Sequence, residues 1–397
     1  MSKWIKIGDP TLKGNKVENK ITSSDGMRKY LKYSTFYAKY DEELEWNPSI
    51  LNIPAVASFI TLAWLTGAVI KVNDLDKKFA DSMKLLYDEY NGMYPEALPG
   101  QLRVKRAHVN KSDADGLALF FSGGLDSTYS LYRLRDKSPR LIMVGGFDVY
   151  MDKPRDEAIW KKWKKTYGDF AEREGLKLNF IRTNSRALIR EHAVDYNHRN
   201  KLKLSFWDAL RHAPLLIGLA APLSKGRFNK LVISASRTPE QPTTKLPYSS
   251  APNTDEKVAW ADLKVTHYGQ IHRYEKIKAL LDPLRAGRIT FKTCFKLHPD
   301  LNCSHCEKCG RVIAFLLAEG VDPNTCGFHV DDDTLKEIRR RFEKFIKWNY
   351  RMKLHWVPWI KDLPEEVPDL YGIREFVTWM RDFKYQGVNT PLKTEEK

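Results

Sequence analysis

Cysteine is scarce in this 397-residue chain and tightly confined: all five fall between Cys294 and Cys326. That clustering excludes a disulfide framework spread through the chain and predicts a reducing, cytoplasmic setting. Acidic residues are also in short supply, 50 against 66 Lys and Arg, giving a net charge of +16 and a pI near 9.4. Such an excess predicts an acidic partner (nucleic acid, a nucleotide or an anionic surface), although a solvated basic surface produces the same total. Long apolar runs are nearly absent. The opening stretch MSKWIKIGDP has no apolar segment of the secretory kind, so no signal peptide is expected. Residues 50–70 carry no charge, and that length can span a bilayer, but Asn52, Pro54, Ser58, Thr61 and Gly67 interrupt it. A buried hairpin or helix is therefore expected there rather than a membrane span. With 42% hydrophobic and 29% charged residues, the chain reads as a globular protein of two or three domains.

What is present is most specific at Leu117–Thr128, LALFFSGGLDST. The apolar run Leu117–Phe121 reads as a buried strand, Ser122–Ser127 as a turn, and Thr128–Leu134 as the helix that follows. Two adjacent glycines let backbone approach an anion closely. The free N–H groups and dipole of a helix start attract it, and two serine hydroxyls add donors. No Lys follows the glycines, which separates the stretch from the Walker A loop. It resembles the PP-loop, SGGxDS, of the N-type ATP pyrophosphatases. In that superfamily the loop holds the pyrophosphate of ATP while a substrate oxygen attacks the α-phosphate. The resemblance implies that Ser122, Gly123, Gly124 and Ser127 hold pyrophosphate, with Leu125 and Thr128 in the same nucleotide-binding stretch. Asp126 would bind Mg²⁺ or orient the loop.

Residues 1–112 precede this pattern and read as a separate N-terminal α+β domain whose role the sequence leaves open. Lys3–Ile7 is a short strand candidate. Leu75, Phe79, Met83, Leu86 and Tyr90 fall at helical spacing, with Asn73 or Asp74 as cap and Gly92 as stop. From Gly116 onward strands and helices alternate, as in a doubly wound parallel α/β sheet. The strands are Leu117–Phe121, Leu141–Phe147, Leu178–Thr183 and Leu231–Ser236. Ile159, Trp163, Tyr167 and Phe170 mark one helix, ended by Gly175, and Trp207–Leu223 a buried one. Ligands of such sheets sit beyond the C-terminal strand ends, which places the glycine loop, Asp148, Asn184 and Ser234–Arg237 around one crevice. Asp148 would read the adenosine or merely cap a helix. Arg237 would stabilise charge on the reacting phosphate or sit on the rim. The irregular segment Thr238–Ala261, with Asp255 and Glu256, reads as a substrate loop or lid. His267, Arg273, Glu275 and Lys276 follow, and His272–Lys278 reads as a solvated charged helix.

The second strong pattern is Cys294-x8-Cys303-x2-Cys306-x2-Cys309. Four thiolates in so short a span suit a tetrahedral structural Zn²⁺ that cross-links a loop too small for its own core. Iron–sulfur proteins also use a C-x2-C-x2-C run, but they place the fourth Cys downstream before Pro, whereas here Gly310 follows and the fourth lies upstream. A closed set of four thiolates leaves no position for an activated water. His298 and His305 read as bystanders and Cys326 as a buried free thiol.

The stretch Thr290–Pro323, TFKTCFKLHPDLNCSHCEKCGRVIAFLLAEGVDP, resembles the zinc segment of the 7-cyano-7-deazaguanine synthase (QueC) family. The shared features are the Cys after a strand, the C-x2-C-x2-C run, and then Arg311, Phe315, Gly320 and Asp322-Pro323. With SGGLDS, the resemblance covers roughly residues 116–327 and is anchored at its two ends. It implies an adenine nucleotide α hydrolase-like (PP-loop) fold over residues 113–330, containing the zinc knuckle 294–309. It also implies an ATP-, Mg²⁺- and Zn²⁺-dependent ligase that adenylates a carboxylate, 7-carboxy-7-deazaguanine or a relative. Ammonia then gives amide and nitrile, and paralogues in bacterial defence operons join the activated deazapurine to another acceptor. Asp126, Ser127 and Arg237 would stand nearest the chemistry. The first 110 and last 70 residues have no counterpart in that family, and Arg199-Asn200 and Pro252–Asp255 are only loose echoes of its substrate segments.

Residues 331–397 read as a basic, aromatic, helical extension. Leu335, Ile338, Phe342 and Phe345 form an amphipathic helix after an Asp331–Asp333 cap, and Trp348, Trp356, Trp359 and Trp379 lie among Lys and Arg. That composition suits base stacking on nucleic acid as well as packing onto the protein. Two alternatives stay open: a tRNA-modifying PP-loop enzyme of the thiolation or lysidine type, and a non-catalytic nucleotide-binding partner. A protein or tRNA acceptor held by the basic termini, and a homodimer, are the candidate partners.

Overall fold

The protein's structure is a computed structural model, described for residues 2–45, 47–95, 97–150, 153–239, 247–294, 298–344 and 356–382. The chain forms two compact units. The first comprises Met1–Phe121, Leu134–Ser234 and Pro242–Tyr268; the second comprises Ser122–Arg133, Ala235–Gln241 and Gly269–Lys397.

The first unit is an α/β layer structure around one 11-stranded, mostly parallel sheet. Its strands are β1 (Trp4–Ile7), β2 (Thr11–Lys13), β3 (Lys16–Ser23), β4 (Thr35–Lys39), β5 (Val69–Asp76), β6 (Gln101–His108), β7 (Leu117–Phe120), β8 (Arg140–Gly145), β9 (Leu178–Thr183), β10 (Lys230–Ser234) and β11 (Lys264–Tyr268). They run in the order β11-β10-β7-β8-β9-β4-β3-β1-β5-β6, with β2 paired to β3. The five strands β11 to β9 are all parallel. Renumbered along the chain from β7, they have the order 3-2-1-4-5 when read from β9, with the doubly wound switch point between β7 and β10. The strand β11, whose partner is β10 throughout its length, is not among the strands read from the sequence.

Antiparallel pairing of β4 with β9 carries the sheet on into the N-terminal strands. Residues 1–112, which precede the glycine-loop pattern and read in sequence as a separate domain, therefore share one sheet and one core with the strands after them, and the first unit runs on without a break through Phe121. Two carboxylates stitch that junction: Asp41 accepts from Asn179 and from the Phe180 N–H, and Glu42 pairs with Arg140 and Arg227.

The uncharged run 50–70 contains the helix Ile53–Thr66, in which every residue is buried. A helix apolar all round belongs in a protein core, and Gly67, left-handed at φ 73°, closes it. Among the described residues no helix is long and apolar enough to cross a membrane. The next helix runs Lys77–Met93, and its cap is Asp76, whose carboxylate accepts from the Phe79 N–H. The expected cap at Asn73 or Asp74 moves because β5 continues through Leu75 to Asp76. Pro154–Arg173 presents Ile159, Trp163, Tyr167 and Phe170 inward as the spacing predicts. Trp160 packs against Gly145, where any added Cβ would meet the indole at 3.0 Å. The segment 207–223 is broken into a π turn, Trp207–Arg211, the helix His212–Leu219 and a short 3₁₀ turn.

The second unit holds the helix Leu125–Arg133, the helix Arg273–Lys278, the cysteine knuckle, the helix Glu307–Ala318 and three further helices, Thr334–Lys344, Val357–Asp362 and Ile373–Asp382. Trp356 and Trp359 are buried against Phe315, with Phe342 at 5.0 Å from Trp356. The Trp356 indole N–H donates to Glu307. These two tryptophans therefore serve packing, not base stacking. Phe345, Trp348 and residues 383–397 of the basic extension lie outside the described residues.

Candidate functional site

Within the second unit Leu125–Arg133 begins directly after the glycine pair, so the loop Ser122–Gly124 sits at a helix N-terminus. Gly123 is left-handed at φ 75°, a conformation that costs an L-residue about 1–2 kcal/mol. The Ser122 N–H donates to Ser127 Oγ at 3.2 Å, and the two hydroxyls lie 3.2 Å apart. Ser127 Oγ donates in turn to the Gly124 carbonyl, and the Gly124 N–H points at Ser122 Oγ. The sequence thus draws two hydroxyls, a backbone turn and the positive end of a helix to one spot, the ingredients of a phosphate cradle.

Asp126, in the first turn of that helix, is clamped by two cations. Arg273 Nη2 reaches Asp126 Oδ2 at 2.8 Å and Lys276 Nζ reaches Oδ1 at 2.8 Å. Lys276 is fully buried and also donates to the Ala235 carbonyl. Burial alone would raise the Asp126 pKa, but the charges of Arg273 and Lys276 overcome it and hold the carboxyl well below its usual range. Burial also pulls the Lys276 ammonium below its ordinary value in spite of its acidic partner. The helix expected to be a solvated charged face is therefore the counter-ion shell of the loop's aspartate. Spacing in the sequence held no sign of it, because the two cations lie about 150 residues downstream.

The four cysteines converge as their spacing predicts. All four Sγ atoms lie within 4.8 Å of one another. Cys294–Cys306 is 3.9 Å, Cys303–Cys309 4.0 Å and Cys306–Cys309 3.5 Å. A tetrahedron with metal–sulfur bonds of about 2.3 Å has edges of about 3.8 Å, so the set fits Zn²⁺ and is far too open for a disulfide. Cys306 caps the helix Glu307–Ala318 and Cys309 lies in its first turn. Without a cation the thiols oppose each other's ionisation: the neighbouring Cys306 pushes the Cys294 thiol up to about 11. His298 is turned to the Asp300 N–H, and Cys326 is a buried free thiol.

Asn302 escaped the sequence reading and organises the knuckle. It is fully buried; its Oδ1 accepts from the N–H groups of Thr293 and Cys294, and its Nδ2 donates to the carbonyls of Phe291 and Gly327. The same segment reaches the glycine loop, because the Lys292 N–H donates to the Gly123 carbonyl at 2.8 Å.

Of the remaining expected residues, Arg237 is half-buried and belongs to the same unit as the loop. Asp148 is exposed after β8 in the first unit. Asn184 is committed to the sheet: it accepts from the Tyr37 N–H and donates to the Thr35 carbonyl, fastening β4 beside β9. In the segment Thr238–Ala261, residues 240–246 lie outside the described residues. Asp255 is fully buried there, and His267 Nδ1 meets its carboxylate at 2.7 Å.

No protein-family model matches this chain, and comparison with curated proteins and with solved structures yields no match.

Proposed function

We propose that this chain is a PP-loop ATP pyrophosphatase resembling QueC, which activates a carboxylate by adenylation. The observation that carries the reading is the convergence at Ser122–Ser127: a left-handed Gly123, two hydroxyls 3.2 Å apart and a helix start. The strand order 3-2-1-4-5 supports it, since β7, the strand at the switch point, is the one whose chain continues into Ser122.

In this reading the N–H groups and hydroxyls of the loop bind the β and γ phosphates of ATP. A substrate carboxylate oxygen attacks the α-phosphorus. The bond from that phosphorus to the bridging oxygen breaks, and pyrophosphate leaves with its electron pair into the loop. Ammonia then displaces AMP from the acyl adenylate, giving the amide and releasing one proton. The best substrate candidate is 7-carboxy-7-deazaguanine or a related deazapurine. Both carboxylate oxygens of Asp126 are taken by Arg273 and Lys276, so of its two candidate roles orienting the loop fits and direct Mg²⁺ ligation does not. Cys294, Cys303, Cys306 and Cys309 would hold a Zn²⁺ whose contribution is to brace the loop.

The test is pyrophosphate and AMP release from MgATP with 7-carboxy-7-deazaguanine, with tRNA and alone. Release in step with the deazapurine supports the reading. Release only with tRNA replaces it with a tRNA-modifying enzyme, and ATP binding without turnover in any arm replaces it with a nucleotide-binding partner protein.

A further inference from the structure

The N-terminal half of the large sheet has one face in the core and one open to solvent. In β1, β3, β4 and the first part of β5, buried residues alternate with exposed or half-exposed ones, and β6 is half-buried only at Leu102 and Val104. The inner side chains (Ile5, Ile7, Val17, Ile21, Phe36, Ile70) join the hydrophobic core. Among the outer ones Lys and Arg far outnumber acidic residues, and the strand register aligns the cations. Lys6 stands directly opposite Lys71, and Lys71 opposite Arg103. A second row sets Lys13 against Lys16 and Lys16 against Lys39. Lys20 and Lys105 add to the same face by the two-residue period of a strand.

Like charges directly opposite each other weaken a sheet, and little acid offsets these rows. Glu18 pairs with Lys16, and Asp9 at the rim bonds Asn73. Two rings interrupt the charge. Trp4 and Tyr37 are half-exposed on this face, each beneath a lysine, with Lys71 at 5.1 Å from the Trp4 ring and Lys16 at 5.0 Å from Tyr37.

We infer that this open face binds single-stranded nucleic acid. Rows of cations at strand spacing, about 4.8 Å apart, suit successive phosphates, and aromatic rings standing among them suit unstacked bases, whose π-faces stack without regard to sequence. In a duplex the bases are stacked on one another and closed to these rings, so an unpaired strand fits the face better. A membrane surface would call for apolar side chains to insert, and this face offers Trp4 and little else. An acidic peptide would satisfy the charges but leave the rings unused. The inference stands independently of the activity proposed above, because every residue in it lies between Trp4 and Lys105.

The experiment is fluorescence anisotropy of the full-length chain with 12-nucleotide uridine RNA and thymidine DNA, titrated between 50 and 200 mM salt. The comparison variant is Lys6→Ala/Lys71→Ala/Arg103→Ala. Wild type should bind at low salt, and the variant's log–log salt slope should be shallower by about 2, at about 0.7 for each phosphate left without its cation. Because the substitutions relieve repulsion at exposed positions, the variant should melt no lower than wild type. Trp4→Leu should weaken binding with the slope unchanged. A preference for RNA would support the inference and assign the 2′-hydroxyl a part; equal affinity would support it with the backbone and bases alone. Three results would overturn it: no binding by wild type at 50 mM salt, a slope unchanged in the triple variant, or binding to phosphatidylserine vesicles that needs these three cations while the oligonucleotides do not bind.

Discussion

The backbone N–H of Lys292 donates to the carbonyl of Gly123 at 2.8 Å, and Lys292 stands two residues before the first cysteine of the knuckle. The knuckle and the glycine loop therefore share a short strap of backbone. Asn302 fixes the far end of that strap through the Thr293 and Cys294 N–H groups. Disturbing the cysteine cluster should release the strap and, through it, the loop.

The first prediction concerns the metal. The purified protein should carry about one zinc per chain, because four thiolates close a tetrahedral site. Chelation should accelerate amide hydrogen exchange in the 122–128 peptide while β8 and β9 keep their protection. Iron with acid-labile sulfide in the preparation would overturn the zinc assignment. Unchanged exchange at the loop after full zinc loss would overturn the coupling.

Asn302 itself gives a second test. It is fully buried and makes four hydrogen bonds to backbone groups. Asn302→Leu keeps the volume and strands those groups, which should cost about 3 kcal/mol or more. Zinc content should fall with stability, as measured by metal analysis after denaturant titration. A variant with full zinc occupancy and unaltered denaturation midpoint would show that the cluster needs no such brace.

How much of this was legible in the sequence depended on whether the signal was local. The stretch Ser122–Ser127 and the cysteines Cys294, Cys303, Cys306 and Cys309 are motifs whose partners lie close in the chain. The cysteines converge as their spacing suggests, and the strand–turn–helix order holds around the glycines, although the helix starts at Leu125 rather than Thr128. Asp126 shows the limit. Its partners Arg273 and Lys276 sit on a short helix whose charge pattern resembles any solvated face, and only the tertiary fold reveals that Lys276 is fully buried. The N-terminal strands failed for a related reason. Residues 1–112 read as separate because they precede the strand–loop–helix pattern, but the antiparallel pairing of Ala38 with Thr183 that merges them into one sheet is a contact across the chain. The tryptophans of the extension illustrate a third case. Trp356 and Trp359 lie among cations in sequence yet are buried, because a long aromatic side chain next to charge can be either a platform or a core residue.

Asp126 supplies a third prediction. Removing its charge in Asp126→Asn leaves Arg273 and the buried Lys276 without their counter-ion, which should cost about 3 kcal/mol. Ser127→Ala, which loses only hydroxyl contacts, should cost about 1 kcal/mol. The sign with pH follows from the lowered pKa of Asp126. Its contribution is complete above the unfolded carboxylate value and is lost as pH falls through the folded one, so wild type and Asp126→Asn should converge only in strong acid. Denaturation of wild type and both variants across pH 3–8 measures this as a gap that stays level down to about pH 4 and only begins to narrow below it. Equal stability of wild type and Asp126→Asn at pH 7 would remove Asp126 as the anchor of the loop.

Glu42 offers the same test away from the loop. Burial raises its pKa, but hydrogen bonds from Asn179 and Lys177 and the charges of Arg140 and Arg227 bring it down to about 2. The depressed value means that its stabilisation is present above the unfolded pKa of about 4.5 and fades as pH drops toward 2. After discounting for solvent screening, Glu42→Gln should cost about 2 kcal/mol at pH 7. It should also flatten the acid limb of the stability curve, and an unchanged limb would show that the three cations are satisfied elsewhere.

The two glycines of the loop should fail in different ways when each is given a methyl group. Gly123 is left-handed, so Gly123→Ala strains the backbone by about 1–2 kcal/mol wherever the methyl points. Gly124 has an ordinary φ, and a Cβ there would lie 3.3 Å from Ser122 Oγ and 3.5 Å from the Lys292 carbonyl. That spacing is tight enough to turn the Ser122 hydroxyl aside while leaving the backbone where it is. Gly124→Ala should therefore keep the wild-type denaturation midpoint and lose ATP affinity, because the methyl displaces a donor and fills the space a phosphate oxygen needs. Gly123→Ala should lower both. Calorimetric titration with MgATP beside a denaturation curve separates the two. If Gly124→Ala binds ATP as wild type does, the nucleotide does not sit at this loop and the adenylation reading falls with it.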